Sequence, residues 1–384
     1  MSEKNKGLRA TLLDVEPSIV VKFDKTQGIQ TWGDNNNYPT QMRNLIAASV
    51  TARNCIKRNS AYIRGKGFAF ELANEILVNQ DGQTINQVLG DSSKELAYIN
   101  NVFIHVNINS EYKITSAQII PSTDSRVGKE DSKGYAGKFI VYNNWDLSIE
   151  ESIKKGDFIT IDRFNPDPKV IESQVQAAGG WQKYKGQILH IKGDASRIYA
   201  EADGDCVVFD MDSEKKAARF KNGGLRKGRF GARIYMTQPF DDDYERQAFQ
   251  NTLKELEGED SQESIIVMES NEMSDDFDTQ FKMLDLSSNI DDKMFEFTEN
   301  SVARNIRRAF GVPSILVETD SDAGIYGNSG ELLKQAKLTH WEDLEEQRSL
   351  LINAFKRIFT RWVEPLEIND WSIIPIIQDK QATQ

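Results

Sequence analysis

The steepest charge imbalance in the chain lies between Lys215 and Arg233. Lys215, Lys216, Arg219, Lys221, Arg226, Lys227, Arg229 and Arg233 fall there with no acidic residue between them. Clustered cations are what phosphate binding requires, and each neutralised phosphate makes such binding more sensitive to salt. The same residues serve equally as a solvated face that balances a neighbour's acids. Gly223, Gly224, Gly228 and Gly231 interrupt the run, which places the cations on a helix end and a hairpin. Glycines between arginines can cradle a phosphate; a basic surface turn is the plainer reading.

Paired carboxylates offer the opposite chemistry. Asp241-Asp242-Asp243, Asp275-Asp276, Asp291-Asp292 and Asp320 with Asp322 are the kind of groups that hold two divalent ions in a nuclease. A metal site needs carboxylates that converge in space. These fall instead at expected helix N-termini and loops, where capping explains them. His105, His190 and His340 are scattered, and the first two sit inside apolar alternation as core imidazoles do. No phosphate loop, nucleophile elbow or HExxH pair occurs. The expectation is a non-enzyme with no catalytic residue, metal or cofactor; a metal-dependent DNA-processing nuclease is the alternative.

Composition narrows the class. A net charge of −12 argues against a general nucleic-acid coat, but allows a local basic patch or a channel through which DNA slides. Cys55 and Cys206 are too few and too far apart for a disulfide framework. No apolar run approaches the roughly 18 residues of a membrane span. The opening MSEKNKGLRA lacks the apolar core of a secretory signal. A soluble protein made inside the cell is expected.

The positioning elements follow from periodicity. Asp and Asn tolerate left-handed turns, so the stretch from Trp32 to Pro39 is a connector. One helix is expected through Leu45, Ile46, Val50, Ile56, Tyr62 and Ile63, and another from Asn86 to Leu96. Alternation from Val102 to Ile108 marks a strand, and further strands follow near Tyr112–Pro121, Gly137–Tyr142, Phe158–Ile161 and Gln187–Ile191. Asp205 to Asn222 suits a helix, Asp241 to Glu257 another, and Ile265 to Met268 a short strand. Ser288 is a fitting N-cap for a helix that carries acids early and Arg304, Arg307 and Arg308 late, complementing its macrodipole. Gly311 can adopt the left-handed C′ conformation and Pro313 forbids continuation. A Gly-rich acidic loop follows, with Glu318, Asp320, Asp322, Tyr326 and Asn328. One long helix then carries Leu333, Leu344, Leu351, Phe355, Ile358 and Trp362 on one side, roughly 45 Å if straight.

The segment ENSVARNIRRAFGVPSILV followed by GNSGELLKQAKLTHWEDLEEQRSLL resembles the C-terminal half of portal proteins from tailed bacteriophages. Val302-Ala303, Ile306, Phe310-Gly311-Val312-Pro313, Leu316, Asn328 and Glu331 match that pattern, over about a fifth of the chain. SAYIRGKGF, QIIPSTDSRVGK and Gln187-Ile188-Leu189-His190-Ile191 are weaker echoes.

The resemblance implies an α+β, portal-like fold. Its parts would be a wing over residues 1–204, a first stem helix at 205–222, and a small α/β clip at 223–286. A second stem helix would span 287–312, a tunnel loop 313–330, and a long tunnel helix with a short crown or tail 331–384. It further implies a homo-oligomeric ring, a dodecamer, at the capsid vertex of a virion assembled in the bacterial cytoplasm. Double-stranded DNA would pass through it during packaging and ejection. The implied partners are the terminase large subunit, the major capsid protein, and head-completion, adaptor or tail proteins, with no membrane. Glu318, Asp320, Asp322, Tyr326 and Asn328 would line the channel. Lys221, Arg226, Lys227, Arg229, Arg233, Arg304, Arg307 and Arg308 would meet DNA or a partner. Another head–tail connector component is the third possibility.

Overall fold

The computed structural model describes residues 21–25, 28–145, 158–194, 197–226, 233–237, 265–269, 281–285, 292–317 and 329–376, with Tyr244, Gln247, Ala248 and Asn251 between them. Helices and sheets are mixed in an α+β arrangement. The chain divides into two compact units, Met1–Val208 with Ile306–Gln384, and Phe209–Asn305.

The first unit opens with a two-residue ladder of β1 (Phe23–Asp24) against β2 (Ile29–Gln30). The single helix expected through Leu45 and Ile63 is instead two, α1 (Tyr38–Ala48) and α2 (Val50–Arg64). Ser49 breaks them. Its backbone is extended, and its hydroxyl accepts from Ala52 N at 3.0 Å, starting a second helix where the first ends. Next comes α3 (Ile85–Ile99), opened by a reciprocal capping box between Thr84 and Gln87 and closed by Asn100 in the left-handed region.

A six-stranded sheet supports these helices. It consists of β3 (Asn101–Ile108), β4 (Ile114–Ile120), β5 (Ser125–Val127), β6 (Lys138–Val141), β7 (Ile159–Arg163) and β8 (Gln187–Lys192), in the order β4-β3-β8-β7-β6-β5. All neighbours are antiparallel except β7 and β8, which run parallel. A parallel pair needs a crossover, and α4 (Pro168–Ala178) provides it. Asp167 caps that helix and Gly179 ends it at φ +87°. Central β3 contributes Val102, Phe103, Ile104 and Val106 to the core, all at 0% exposure.

The C-terminal segment closes this same core. The long helix expected after the acidic loop is two helices, α7 (Ser329–Asp343) and α8 (Glu345–Phe359), with Leu344 between them. Each spans roughly 22 Å. Helix α8 buries Leu351, Phe355, Ile358 and Phe359. Phe355 lies 5.3 Å from Phe68 between ring centroids. Backbone pairing seals the junction. Lys66 and Ala69 donate to Ile374 and Ser372, each at 2.9 Å, while Ile114 donates to Arg361 at 2.8 Å. Trp362 belongs to this core, as its place on the apolar stripe predicts.

The second unit contains α5 (Val208–Arg226), the strands β9 (Arg233–Thr237), β10 (Ile265–Glu269) and β11 (Phe281–Asp285), and most of α6 (Asp292–Ala309). Helix α5 runs through Gly223 and Gly224, which were expected to interrupt it. Flanking helix formers and a single helical register carry the backbone past them. In the sheet, β9 is central, parallel to β10 and antiparallel to β11. Arg233 therefore opens a central strand instead of sitting in a tight hairpin. No helix among the described residues is long and apolar enough to cross a membrane.

Candidate functional site

Helix α6 ends where the sequence pattern places its stop. Gly311 has φ +62°. Its N–H donates to Arg308 O at 3.2 Å, and Val312 N–H donates to Arg307 O at 3.0 Å. These bonds satisfy carbonyls that the last helical turn would otherwise leave open. Pro313 then begins a short 3₁₀ turn, Ser314–Leu316. Phe310, Val312 and Leu316 are buried, which anchors the stop to its unit.

Two residues from other helices meet this stop. Asn59 of α2 is buried and donates its side-chain amide to Phe310 O at 3.0 Å. His340 of α7 is 1% exposed, with its ring edge-on to Tyr62 of α2 at 4.7 Å. Neither ring nitrogen of His340 meets hydrogen-bond geometry with a described residue. Burial pushes its pKa below the usual imidazole range; nearby Asp343 and the Gly311 backbone offset this only in part. On α8, Arg348 lies over the Trp341 ring at 3.7 Å, a cation–π contact that ties α8 to the end of α7.

Two of the described basic residues are paired with acids. Lys221 of α5 is exposed but engaged, since its ammonium lies 2.5 Å from Glu299 of α6. Lys216 pairs with Asp212 at 2.6 Å, and Asn305 donates to Asp210 at 3.4 Å. Arg304 and Arg308 are exposed and Arg307 is half-buried. Their i, i+3, i+4 spacing places all three along one side of α6. Among the described residues no group of three His, Cys, Asp or Glu is placed to hold a metal ion. Cys55 is buried and Cys206 exposed, with no disulfide between them.

No family model matches the chain, and no curated protein matches it in sequence. Solved structures do match. A chain in the virion of a native gene transfer agent particle aligns with TM-score 0.52 and 15% identity, over 84% of this chain and 80% of that one. A chain in the neck of the native particle, computed with C12 symmetry, aligns with TM-score 0.51 and 15% identity, over 85% and 81%. A family phage portal protein of HK97 type from Corynebacterium diphtheriae gives TM-score 0.42 and 11% identity, over 76% and 82%. The chain shares its fold with these chains of the gene transfer agent particle.

Within this neck-type fold, Glu318, Asp320, Asp322, Tyr326, Asn328, Lys227 and Arg229 lie outside the described residues, as do Asp241–Asp243, Asp275, Asp276, Ser288 and Asp291. Arg226 and Arg233 are placed only by backbone, at the end of α5 and the start of β9. Sequence reasoning missed Asn59, although a signal was present. It is a polar residue on the stripe of Cys55, Ile56, Tyr62 and Ile63, and such a residue must find a buried partner. The burial of His340 against Tyr62 had no such signal, because it depends on which helix α7 meets.

Proposed function

We propose that the chain is a portal subunit, a ring-forming component of a capsid-vertex channel for double-stranded DNA. The single observation that carries this reading is the fold shared with a gene transfer agent virion chain over most of both lengths. The portal-like sequence around Phe310-Gly311-Val312-Pro313 supports it independently. The related neck was computed with C12 symmetry, which favours twelve copies in a cyclic, heterologous assembly.

In such a ring the energy for translocation comes from a terminase bound outside it, and the chain itself does no catalysis. Glu318, Asp320 and Asp322 contribute negative charge to the channel, so contacts with the duplex stay brief and sliding is favoured over capture. Lys227, Arg229 and Arg233 supply cations that meet DNA phosphate or the packaging and tail partners. Assembly takes place in the host cytoplasm, and the finished ring resides at one virion vertex between the capsid protein and the adaptor or tail.

Electron microscopy of the purified full chain tests the proposal. Closed rings with a central opening wide enough for a duplex are expected, with twelvefold averages dominant. Monodisperse single copies at micromolar concentration and across a range of salt would overturn it.

A further inference from the structure

A cleft of about 190 Å³ opens between α4, the strands β6 and β7, and the segment leading into β8. Lys138, Asp162, Gln174, Lys183, Tyr184 and Lys185 line it. Its floor is fixed. The Gln187 amide, 0% exposed, donates to Gln174 Oε1 at 2.6 Å and to Asn165 O at 3.1 Å, and Tyr184 OH donates to Gln174 Oε1 at 3.0 Å. Gly186 holds the entry to β8 at φ +74° with its backbone pressed on Val106 O, where a side chain would not fit. The cleft is thus built by satisfied buried amides and a constrained backbone.

Its charge is uneven. Lys138 stands opposite Asp162 in the β6–β7 ladder, and the two offset each other. Lys183 and Lys185 have no ion-pair partner among the described residues, so the cleft carries an excess of positive charge in a chain of net charge −12. Lys183 lies over Gly179 at the C-terminus of α4, its Nζ 3.8 Å from where a Cβ there would stand. An aromatic ledge adjoins the lysines. Trp181, 37% exposed, sits edge-on to Tyr184 at 5.9 Å and tilted against Tyr112 at 6.0 Å. Tyr112 holds φ +61° in the β3–β4 turn, a conformation that costs a bulky residue energy.

We propose that this cleft and its aromatic ledge dock an acidic peptide segment of a partner protein, with carboxylates at Lys183 and Lys185 and an apolar side chain on Trp181 and Tyr112. Charge complementarity selects the occupant. Two lysines without an ion-pair partner among the described residues match two carboxylates, and the exposed Trp181 matches an apolar side chain. The inference does not rest on the portal reading.

The test uses the full chain and a fluorescein-labelled peptide of alternating Glu and Phe residues, with binding read by anisotropy. The wild type should bind, and binding should weaken with added salt. The double variant Lys183→Glu, Lys185→Glu should weaken binding roughly tenfold or more, and Trp181→Ala by about threefold. Lys216→Glu, in the other unit, should leave it unchanged, and thermal melts should show each variant folded. Absence of peptide binding, or indifference to the double charge reversal, would overturn the proposal. So would a thymidine decanucleotide that binds these lysines more tightly than the peptide.

Discussion

The side-chain amide of Asn59 donates to the carbonyl of Phe310 across 3.0 Å, although the residues are 251 positions apart. Asn59 uses only its donor half, since its side-chain oxygen has no partner among the described residues. Replacement by Leu strands the Phe310 carbonyl and should cost about 1–3 kcal/mol. Replacement by Asp sets a carboxylate against that carbonyl and should cost more. The urea midpoints of both variants check the order; an Asp variant as stable as the Leu variant would contradict the assigned geometry.

Two glycines with similar backbones should respond very differently to alanine. At Gly311, φ is +62° and nothing lies within 4 Å of an added Cβ, so only backbone strain of about 1 kcal/mol applies. At Gly186, φ is +74° and the added carbon would stand 2.2 Å from Val106 O. Gly186→Ala must displace β8 from β3 and should lower the melting temperature several times as far as Gly311→Ala does. Calorimetry on the two variants decides it.

Acid should destabilise the fold through its histidines. Burial pushes His190 down to about 3. Part of its surface remains exposed, but its ring face is stacked on Phe103 at 4.3 Å and its Nε2 meets Asn101 Oδ1 at 3.0 Å. His105 and His340 are lowered for the same reason. A histidine lowered on folding charges first in the unfolded chain, so stability falls as pH drops from about 6.5 towards the folded value. Between pH 6.5 and 5 the loss from His190 should be about 1–2 kcal/mol. His190→Gln should flatten that part of the urea-midpoint profile; an unchanged slope would remove His190 from the account.

Arg126 is a buried cation without a carboxylate hydrogen-bond partner among the described residues. Its guanidinium donates to Asn36 Oδ1, Asn36 O and Ser125 O, each at 2.7 Å, and to Ser122 O and Thr123 O at 3.1 Å. Trp145 and Trp32 flank it at 5.1 and 5.8 Å. Burial lowers its pKa to about 10, which leaves it charged at neutral pH. Arg126→Lys keeps the charge but cannot reproduce the planar fork, so a loss of about 2 kcal/mol or more is expected. Chemical denaturation measures it.

Lys221 is held by Glu299 and so is not free to seek phosphate. Lys221→Ala should change stability by less than about 1 kcal/mol. On the proposed channel role it should also leave the salt dependence of binding to duplex DNA unaltered, while Arg229→Ala lowers that slope by about one phosphate contact. Binding isotherms at several salt concentrations separate the two.

Much of the first unit was legible because local signals and tertiary packing agree there. Alternation at Val102–Ile108 and the Gly311–Pro313 stop each require their structure locally, and each element lies where the pattern puts it. Breaks at Ser49 and Leu344 were not legible. An apolar stripe continues across both, and the decision rests on a hydroxyl that caps the next helix and on packing around Leu344. Parallel pairing of β7 with β8 was equally hidden, since it needs only that α4 fold back over the sheet. Among the candidate residues, the ion pair of Lys221 depends on the register between α5 and α6, which neither helix encodes alone.

The backbone pairing of residues 66–69 with residues 372–374 carries a consequence for biosynthesis. Phe68 must wait for more than three-quarters of the chain to leave the ribosome before Phe355 and Ile373 can cover it. Until then the nascent N-terminal portion keeps an open apolar seam. A copy released early presents that seam to chaperones, whereas a finished copy has closed it.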